Sequence, residues 1–517
     1  MSERYLIGVD MGTSLTKVGI FDAEGNVVGK ASRENELIKP GPGRVEQKFE
    51  DIYSSAIYCI SKSVKESGID ASKVEGIACS SQMSGIGAID EDWNPVMHFD
   101  NWLDTRCEPY IEKMNEEAGD RVTEKSGCPP TYSHGPKILW WKNERPKVYD
   151  KIYKFIVPYV YVAGKMAGLS GEEAYIDPTC LHFSNLSDTE NSRWSDELLS
   201  EFEVDGDKMP RIIEPDTIIG ELREDVAEKL GLVEGIPISA GAGDQPANAL
   251  GAGVVDPGTS FDVSGTASVF SICVSEFEPD VSHKVVMSTR SIIEDTYYAL
   301  AFINGGGMNL KWFRDEIAED IKEKAENPYQ KLDEMAEKSS PGSDRLFFIP
   351  HVQGRVLPPN PSLRGLWFGF TWNHTRGDLY RSILESISYE YAYYRQIEDA
   401  LVPSLEFEEV RTIGGGSKSQ VWNQMKADIL GIPYVKISRE ELGVFGDALL
   451  AGYSNGIYED LADTSKSFTE VTERIEPRKQ HHEFYKPYVD FYSTLLENMG
   501  RFYSELAELP SEAPEKM

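Results

Sequence analysis

The sequence predicts an α/β protein of two similar halves with a nucleotide held between them, on three observations. First, Ser239-Ala-Gly-Ala-Gly-Asp-Gln-Pro-Ala-Asn-Ala-Leu-Gly251 reads as the end of a buried strand, a small-residue turn and a short helix. The turn carries a single carboxylate, Asp244, at the kind of strand end where open α/β sheets place working side chains. Second, Ile7-Gly-Val-Asp-Met-Gly-Thr-Ser-Leu-Thr-Lys17 reads as strand, Gly-Thr turn, strand. Third, Phe261-Asp-Val-Ser-Gly-Thr-Ala-Ser268 repeats that pattern. Both turns offer backbone N–H groups and hydroxyls with little side-chain bulk, which suits a phosphate chain. Gly241 and Gly243 let a ligand or a second backbone come close to Asp244. The alternative is that Asp244 caps the helix behind it.

Composition sets the bounds. A chain of 517 residues is too long for one core, so two or more domains are expected. A formal charge of -34 disfavours nucleic acid and anionic membranes as partners and fits a cytoplasmic protein. Any triphosphate site must offset that charge by local geometry and a divalent metal. The six cysteines form no CxxC pair and read as reduced thiols, and the eight histidines show no zinc spacing. The most apolar run, Phe155–Ala163, is too short to span a bilayer and contains proline. Residues 2–5 run straight into a strand, so no signal peptide is expected.

Along the chain, Tyr5–Asp10, Lys17–Phe21 and Val27–Ala31 predict a three-strand meander, with Glu24-Gly-Asn26 as its hairpin turn. Phe49, Ile52, Ala56, Ile60 and Val64 share one helical face within Gln47–Ser67. Val74–Ser80 and Ile86–Asp90 are further strands, and residues 107–235 read as helical and looped insertions. After Asp244 the pattern restarts with strands at 259–263, 267–274 and 297–303, a weak duplication of architecture. A helix over Asp378–Leu401, a strand at Val410–Ile413, a glycine turn at 414–417 and a helix over Gln420–Leu430 follow. The domain boundary is expected near 250, and an amphipathic last helix over 486–506 is expected to dock on the second domain.

Five pieces in this order resemble the FGGY carbohydrate kinases. They are Asp10-Met-Gly-Thr-Ser-Leu-Thr-Lys17, Gly243-Asp-Gln245, Ser264-Gly-Thr266, Gly365-Leu-Trp-Phe-Gly-Phe370 with Asp378-Leu-Tyr-Arg-Ser-Ile-Leu-Glu385, and Gly414-Gly-Gly-Ser-Lys-Ser-Gln420. Ser80-Ser-Gln-Met-Ser-Gly85 is similar to a stretch of the xylulose kinases and their pentulose-kinase relatives, with Ser84 where they carry histidine. The resemblance implies two actin-like (ribonuclease H-like) α/β domains with an interdomain cleft. It implies ATP-dependent phosphorylation of a small sugar, a ketopentose such as xylulose first, and often a homodimer. Residues 1–250 would bind sugar, 251–465 nucleotide, and 466–517 would form a helical tail packed on the domains.

The same resemblance places Asp244 as general base for the sugar hydroxyl that attacks the γ-phosphate. Asp10, with Asp244, is the expected Mg²⁺ partner, because Mg²⁺ takes one or two carboxylates plus phosphate oxygens. Gly12, Thr13 and Ser14 should cradle phosphate, with Lys17 either adding charge or standing solvated. Gly265 and Thr266 form the facing turn, while Gly415, Gly416, Ser417 and Gln420 suit the α-phosphate and adenosine. Gln82, Met83, Trp102, Asp104, Arg106 and Gln245 are the expected sugar ligands, offering an aromatic plate beside polar donors. Arg106 serves equally as a structural salt bridge. Two rivals stand beside this reading: a non-catalytic actin-like nucleotide-binding protein, and a kinase of glycerol or another sugar alcohol or sugar acid.

Overall fold

The computed structural model describes residues 3–265 and 267–509, and the chain divides into two compact units. The first comprises Met1–Pro257, Cys273–Ala299 and Arg439–Glu470; the second comprises Gly258–Ile272, Leu300–Ser438 and Val471–Met517. The chain therefore leaves the first unit and returns to it twice, where the sequence suggested one boundary near 250. The second return is a helix, Leu442–Ser454, whose buried side chains are small or apolar except for one carboxylate, Asp447.

The sheet of the first unit runs in the order Ile218–Glu221, Pro237–Ser239, Val74–Ser81, Tyr5–Met11, Leu15–Asp22, Val27–Glu34. The expected meander is present as antiparallel pairs, and Tyr5–Met11 then pairs parallel with Val74–Ser81, aligning Asp10 with Ser80. Ala242–Gly243 joins the other edge of Val74–Ser81 in parallel, aligning Gly243 with Ser81. Three parallel chain segments thus end together, which is where α/β sheets bind ligands. Gly241 makes the approach feasible: its φ is 86°, and a Cβ there would overlap the Cys79 carbonyl.

Leu442–Ser454 covers this sheet, packing on Tyr5–Met11, Val74–Ser81 and the Asp244–Gly251 helix. The two helices meet backbone to backbone, since a Cβ on Gly251 would enter the Leu442 carbonyl and one on Gly446 the Ala247 carbonyl. Leu6, Phe21, Ala78, Leu250, Phe445 and Leu449 form the apolar core around that seam. The apolar run at 155 divides into a strand, Lys154–Ile156, and a helix opened by Pro158.

The second unit repeats the plan. The second seven-stranded sheet runs Met287–Arg290, Tyr297–Ile303, Ser268–Val274, Thr259–Ser264, Glu409–Ile413, Tyr434–Ile437, Val471–Ile475. Thr259–Ser264 pairs antiparallel with Ser268–Val274 and parallel with Glu409–Ile413, so two more turns leave from the ends of adjacent parallel strands. The helical tail expected from 466 differs in two ways. Val471–Ile475 is an edge strand, and the helix that docks on Arg376–Leu401 and Gln420–Leu430 runs Lys479–Asn498, with a separate helix at Gly500–Ala507. All six cysteines are free and buried. Among the described residues no helix is long and apolar enough to cross a membrane.

Candidate active site

In the first unit the converging strand ends bring three carboxylates into one field. Asp244 opens the Asp244–Gly251 helix, whose N-cap is Gly243, and no side chain caps that helix. Asp244 is thus the first helical residue and not the N-cap, although its carboxyl accepts from the Asp244 and Gln245 backbone N–H groups. Burial, and then the neighbouring Asp10, push the Asp244 carboxyl up to about 7. Burial likewise raises Asp10 to about 6, against the pull of Lys17. Asp10 Oδ1 is buried without a hydrogen-bond partner.

The third carboxylate, Asp447, is absent from the sequence-based set. It projects from the returning Leu442–Ser454 helix and is 1 % exposed. Its Oδ2 accepts from Ser80 Oγ at 2.8 Å, while Oδ1 has no partner. Burial, then Asp10 and Asp244, hold it well above the usual carboxylate range. The cation facing the group, Lys17, is half-exposed and donates to Glu441 at 2.8 Å. Among the described residues no three His, Cys, Asp or Glu side chains form a cage for a metal.

The expected sugar and phosphate residues of this unit share one polar network. Thr13 Oγ1 donates to Gln82 Oε1 at 2.9 Å and accepts from Trp102 Nε1 at 2.8 Å. Asn101 Nδ2 donates to Gln82 Oε1 at 2.6 Å and to Gln47 Oε1 at 3.0 Å, and Gln82 Nε2 donates to Gln47 Oε1 at 2.7 Å. Gln47 and Asn101 were not anticipated. The hydroxyl proton of Thr13 is committed to Gln82, which leaves backbone N–H groups at the 12–14 turn for phosphate. Met83 is buried against Gly243. Gln245 Oε1 is buried and unpartnered, so it keeps an acceptor for a ligand.

Asp104 and Arg106 are brought to each other. Arg106 Nε and NH2 donate to Asp104 at 2.8 and 2.6 Å, and NH2 also donates to Glu46 at 2.6 Å. Asp104 Oδ2 accepts from the Val45 amide at 2.7 Å. The guanidinium lies 4.9 Å from the Trp140 ring centroid. This is the salt-bridge alternative for Arg106: the pair braces the short strand Arg44–Gln47, which in turn supplies Gln47.

In the second unit a cavity of about 660 Å³ lies at the matching strand ends. Ser264, Gly265, Gly415 and Gly416 line it, with Trp422, Tyr380 and Tyr329 as aromatic walls and Asn327, Gln330 and Asp333 among its polar residues. Burial raises Asp333 to about 6. Gln420 lines the cavity and donates to Glu473 at 2.7 Å. Ser417 donates to the Gly414 carbonyl at 2.6 Å and is not among the lining residues. Thr266 lies outside the described residues. The volume, the bare glycine edges and the aromatic walls suit a nucleotide.

Residues 5–251 match the FGGY family of carbohydrate kinases, N-terminal domain, and residues 263–455 match the C-terminal domain of the same family. The chain belongs to the FGGY family of carbohydrate kinases. It is an ATP-dependent sugar kinase with the two-domain, actin-like α/β fold of that family. A xylulose kinase of Bacillus subtilis is 28 % identical over 495 residues, covering 95 % of this chain and 96 % of that one. A gluconokinase of the same organism is 26 % identical over 514 residues, covering 98 % of each. The ligand-bound xylulose kinase structure from Lactobacillus acidophilus shares the fold with a TM-score of 0.88 at 22 % identity, covering 97 % of this chain and all of that chain (100 %).

Proposed function

We propose that this FGGY kinase transfers the γ-phosphoryl group of ATP to a hydroxyl of a small neutral ketose, xylulose first, with Asp244 as the general base. The observation that carries the reading is Asp244 itself: a carboxylate at the meeting of three parallel strand ends, raised to about 7 by burial and Asp10 although the Asp244 and Gln245 amides pull it down. An alcohol is a poor nucleophile, and a carboxylate with that proton affinity can take its proton as the phosphorus–oxygen bond forms. Gln245 and the Gln82 network would orient the sugar. Gly265, Gly415 and Gly416 would hold phosphates, with the base against Trp422. Mg²⁺ belongs with the nucleotide as substrate, and the unpartnered Asp10 Oδ1 fits a ligand to it, directly or through water. It would supply charge neutralisation on the β- and γ-phosphates.

A second reading, gluconate as acceptor, is favoured by the gluconokinase relative. Gluconate carries a carboxylate and needs a cation. Lys137 is fully buried, and its ammonium donates to the Asn101 and Tyr132 carbonyls at 2.8 Å each. Arg106 is held by Glu46 and Asp104. Both cations beside the Gln82 network are committed, which supports the neutral sugar there; Lys17, paired with Glu441, stands on the Asp10 side. A coupled ADP-release assay over D-xylulose, L-xylulose, ribulose, gluconate, erythritol and glycerol tests the proposal. The highest kcat/KM is expected with a ketopentose. A higher value with gluconate or glycerol would replace the sugar. ATP binding with no sugar-dependent turnover would leave a nucleotide-binding protein without kinase activity.

A further inference from the structure

Lys426 plays no part in the chemistry above, yet it ties together the surfaces that surround the nucleotide cavity. It belongs to the Gln420–Leu430 helix, and its side chain is completely buried. Its ammonium is ion-paired with Asp262, likewise fully buried. It donates to Ser264 Oγ at 2.7 Å and lies 3.7 Å from the centroid of the Trp422 ring. Ser264 and Trp422 both line the cavity; Lys426 does not. The lysine therefore reaches both from the protein interior.

Ser264 is fixed completely by this arrangement. Its hydroxyl accepts from Lys426 and donates to Asp262 Oδ1 at 2.8 Å. One hydroxyl has one proton, so Ser264 has no donor left for a phosphate although it stands at the cavity edge. Asp262 also accepts from Tyr391 at 3.1 Å. The polar knot is closed, and it sits directly beneath the turn that carries Gly265. Burial lowers the Lys426 pKa, and Asp262 opposes that shift.

Stability does not require such a pair. Buried ion pairs replaced by apolar side chains of similar volume often leave a protein as stable or more so. What apolar residues would not supply is direction: an ammonium bound at once to a strand acid, a turn hydroxyl and an aromatic ring fixes the distances among them.

We propose that Lys426 is a positioning residue for the nucleotide: locked to Asp262, its ammonium sets the Ser264–Gly265 turn at a fixed separation from the Trp422 floor, and so fixes where the phosphate chain lies relative to the base. The inference rests on the cavity being the nucleotide site. It separates position from stability, and the test must do the same.

The full chain is compared with Lys426→Met, with the double variant Lys426→Met/Asp262→Leu, and with Ser264→Ala. Melting temperature, Kd for ATP by calorimetry, and KM for ATP and for sugar are measured on each. Lys426→Met leaves Asp262 buried and unpaired, and a lower melting temperature is expected. The double variant removes both charges and should melt near the wild type. It should nevertheless bind ATP about tenfold or more weakly, because the turn has lost its anchor. KM for the sugar should be unchanged, and kcat at saturating ATP should fall less than the affinity. Ser264→Ala should weaken ATP binding with little change in melting. A double variant with both wild-type melting and wild-type ATP affinity would overturn the proposal, as would equal losses in ATP and sugar KM. If the double variant does not fold, wild-type ATP affinity in Ser264→Ala overturns it. A wild-type chain that binds neither ATP nor ADP would instead remove the nucleotide-site reading beneath it.

Discussion

The two units use the same strand and glycine turn but treat its acid in opposite ways. In the first, Asp10 precedes the 12–14 turn with one oxygen unpartnered, and the lysine facing it is half-exposed and bonded to Glu441. In the second, Asp262 precedes the 264–265 turn and is locked to a fully buried lysine. An acid left without a buried counter-ion keeps a high proton affinity and free lone pairs, at a cost in stability. An acid closed into an ion pair and two further hydrogen bonds has its oxygens committed and acts through shape. On the proposed mechanism, the duplicated architecture carries a reactive half and a supporting half.

The comparison breaks most severely at Asp244. Asp244→Asn preserves shape but takes no proton, and sugar-dependent ADP formation should fall about 10³-fold, within the range for a general base. Circular dichroism and ATP binding should stay as in the wild type. Turnover within tenfold of wild type would remove Asp244 from the chemistry. The next effect belongs to Asp10. Asp10→Asn should lower kcat about 10²-fold and raise the Mg²⁺ concentration for half-maximal rate, since one ligand oxygen is replaced by an amide. An unchanged Mg²⁺ dependence would take Asp10 away from the metal.

How much of this was legible in the sequence follows from the range of the contacts involved. The strand–Gly–Thr turns were visible because each is a short apolar run broken by residues with little side chain, and strand pairing there is local. The cavity floor was not, because Trp422 acquires its role only when its helix packs beside Thr259–Ser264. Asp447 was hidden for the same reason on a larger scale. It lies in an apolar helix some 200 residues beyond Asp244 in the chain, and that helix reaches the first unit through the Gly251 and Gly446 seam, which no local pattern announces. Asp104 and Arg106 were read toward a sugar because Glu46, which holds Arg106, stands 60 residues earlier. The Val471–Ile475 edge strand was missed because its polar, largely exposed residues bury too little to show a period.

A smaller effect sharpens the contrast through stability. Asp447 has a folded-state pKa raised well above the ordinary value near 4. The unfolded chain therefore releases a proton that the folded chain retains, and stability falls as pH rises above about 4. Asp447→Asn cannot ionise in either state and keeps an acceptor for Ser80. Its melting temperature should match wild type near pH 4 and exceed it by about 2–4 °C at pH 8. Asp262→Asn in the second unit should do the reverse and lower melting at pH 8, because it strands Lys426 without its partner. Equal behaviour of the two variants would abolish the distinction between the halves.

The smallest expected effect tests whether a surface cation moderates the reactive half. Lys17 and Glu441 are 37 % and 41 % exposed, so their ion pair should contribute less than about 1 kcal/mol, and Lys17→Met should melt within a few degrees of wild type. Its electrostatic reach is a separate matter, because the lysine is the group that pulls Asp10 downward. Without it, Asp10 should hold its proton to higher pH. If the ionised Asp10 is needed to bind the metal, the acidic limb of kcat/KM against pH should move to higher pH in Lys17→Met, while the plateau changes by about threefold at most. Added salt should shift the wild-type limb in the same direction, since it screens a partly exposed charge. Asp244 sets the upper step of that limb at about 7 and Asp10 the lower step at about 6, so the lower step is the one to follow; if it stays in place, Lys17 does not act on Asp10.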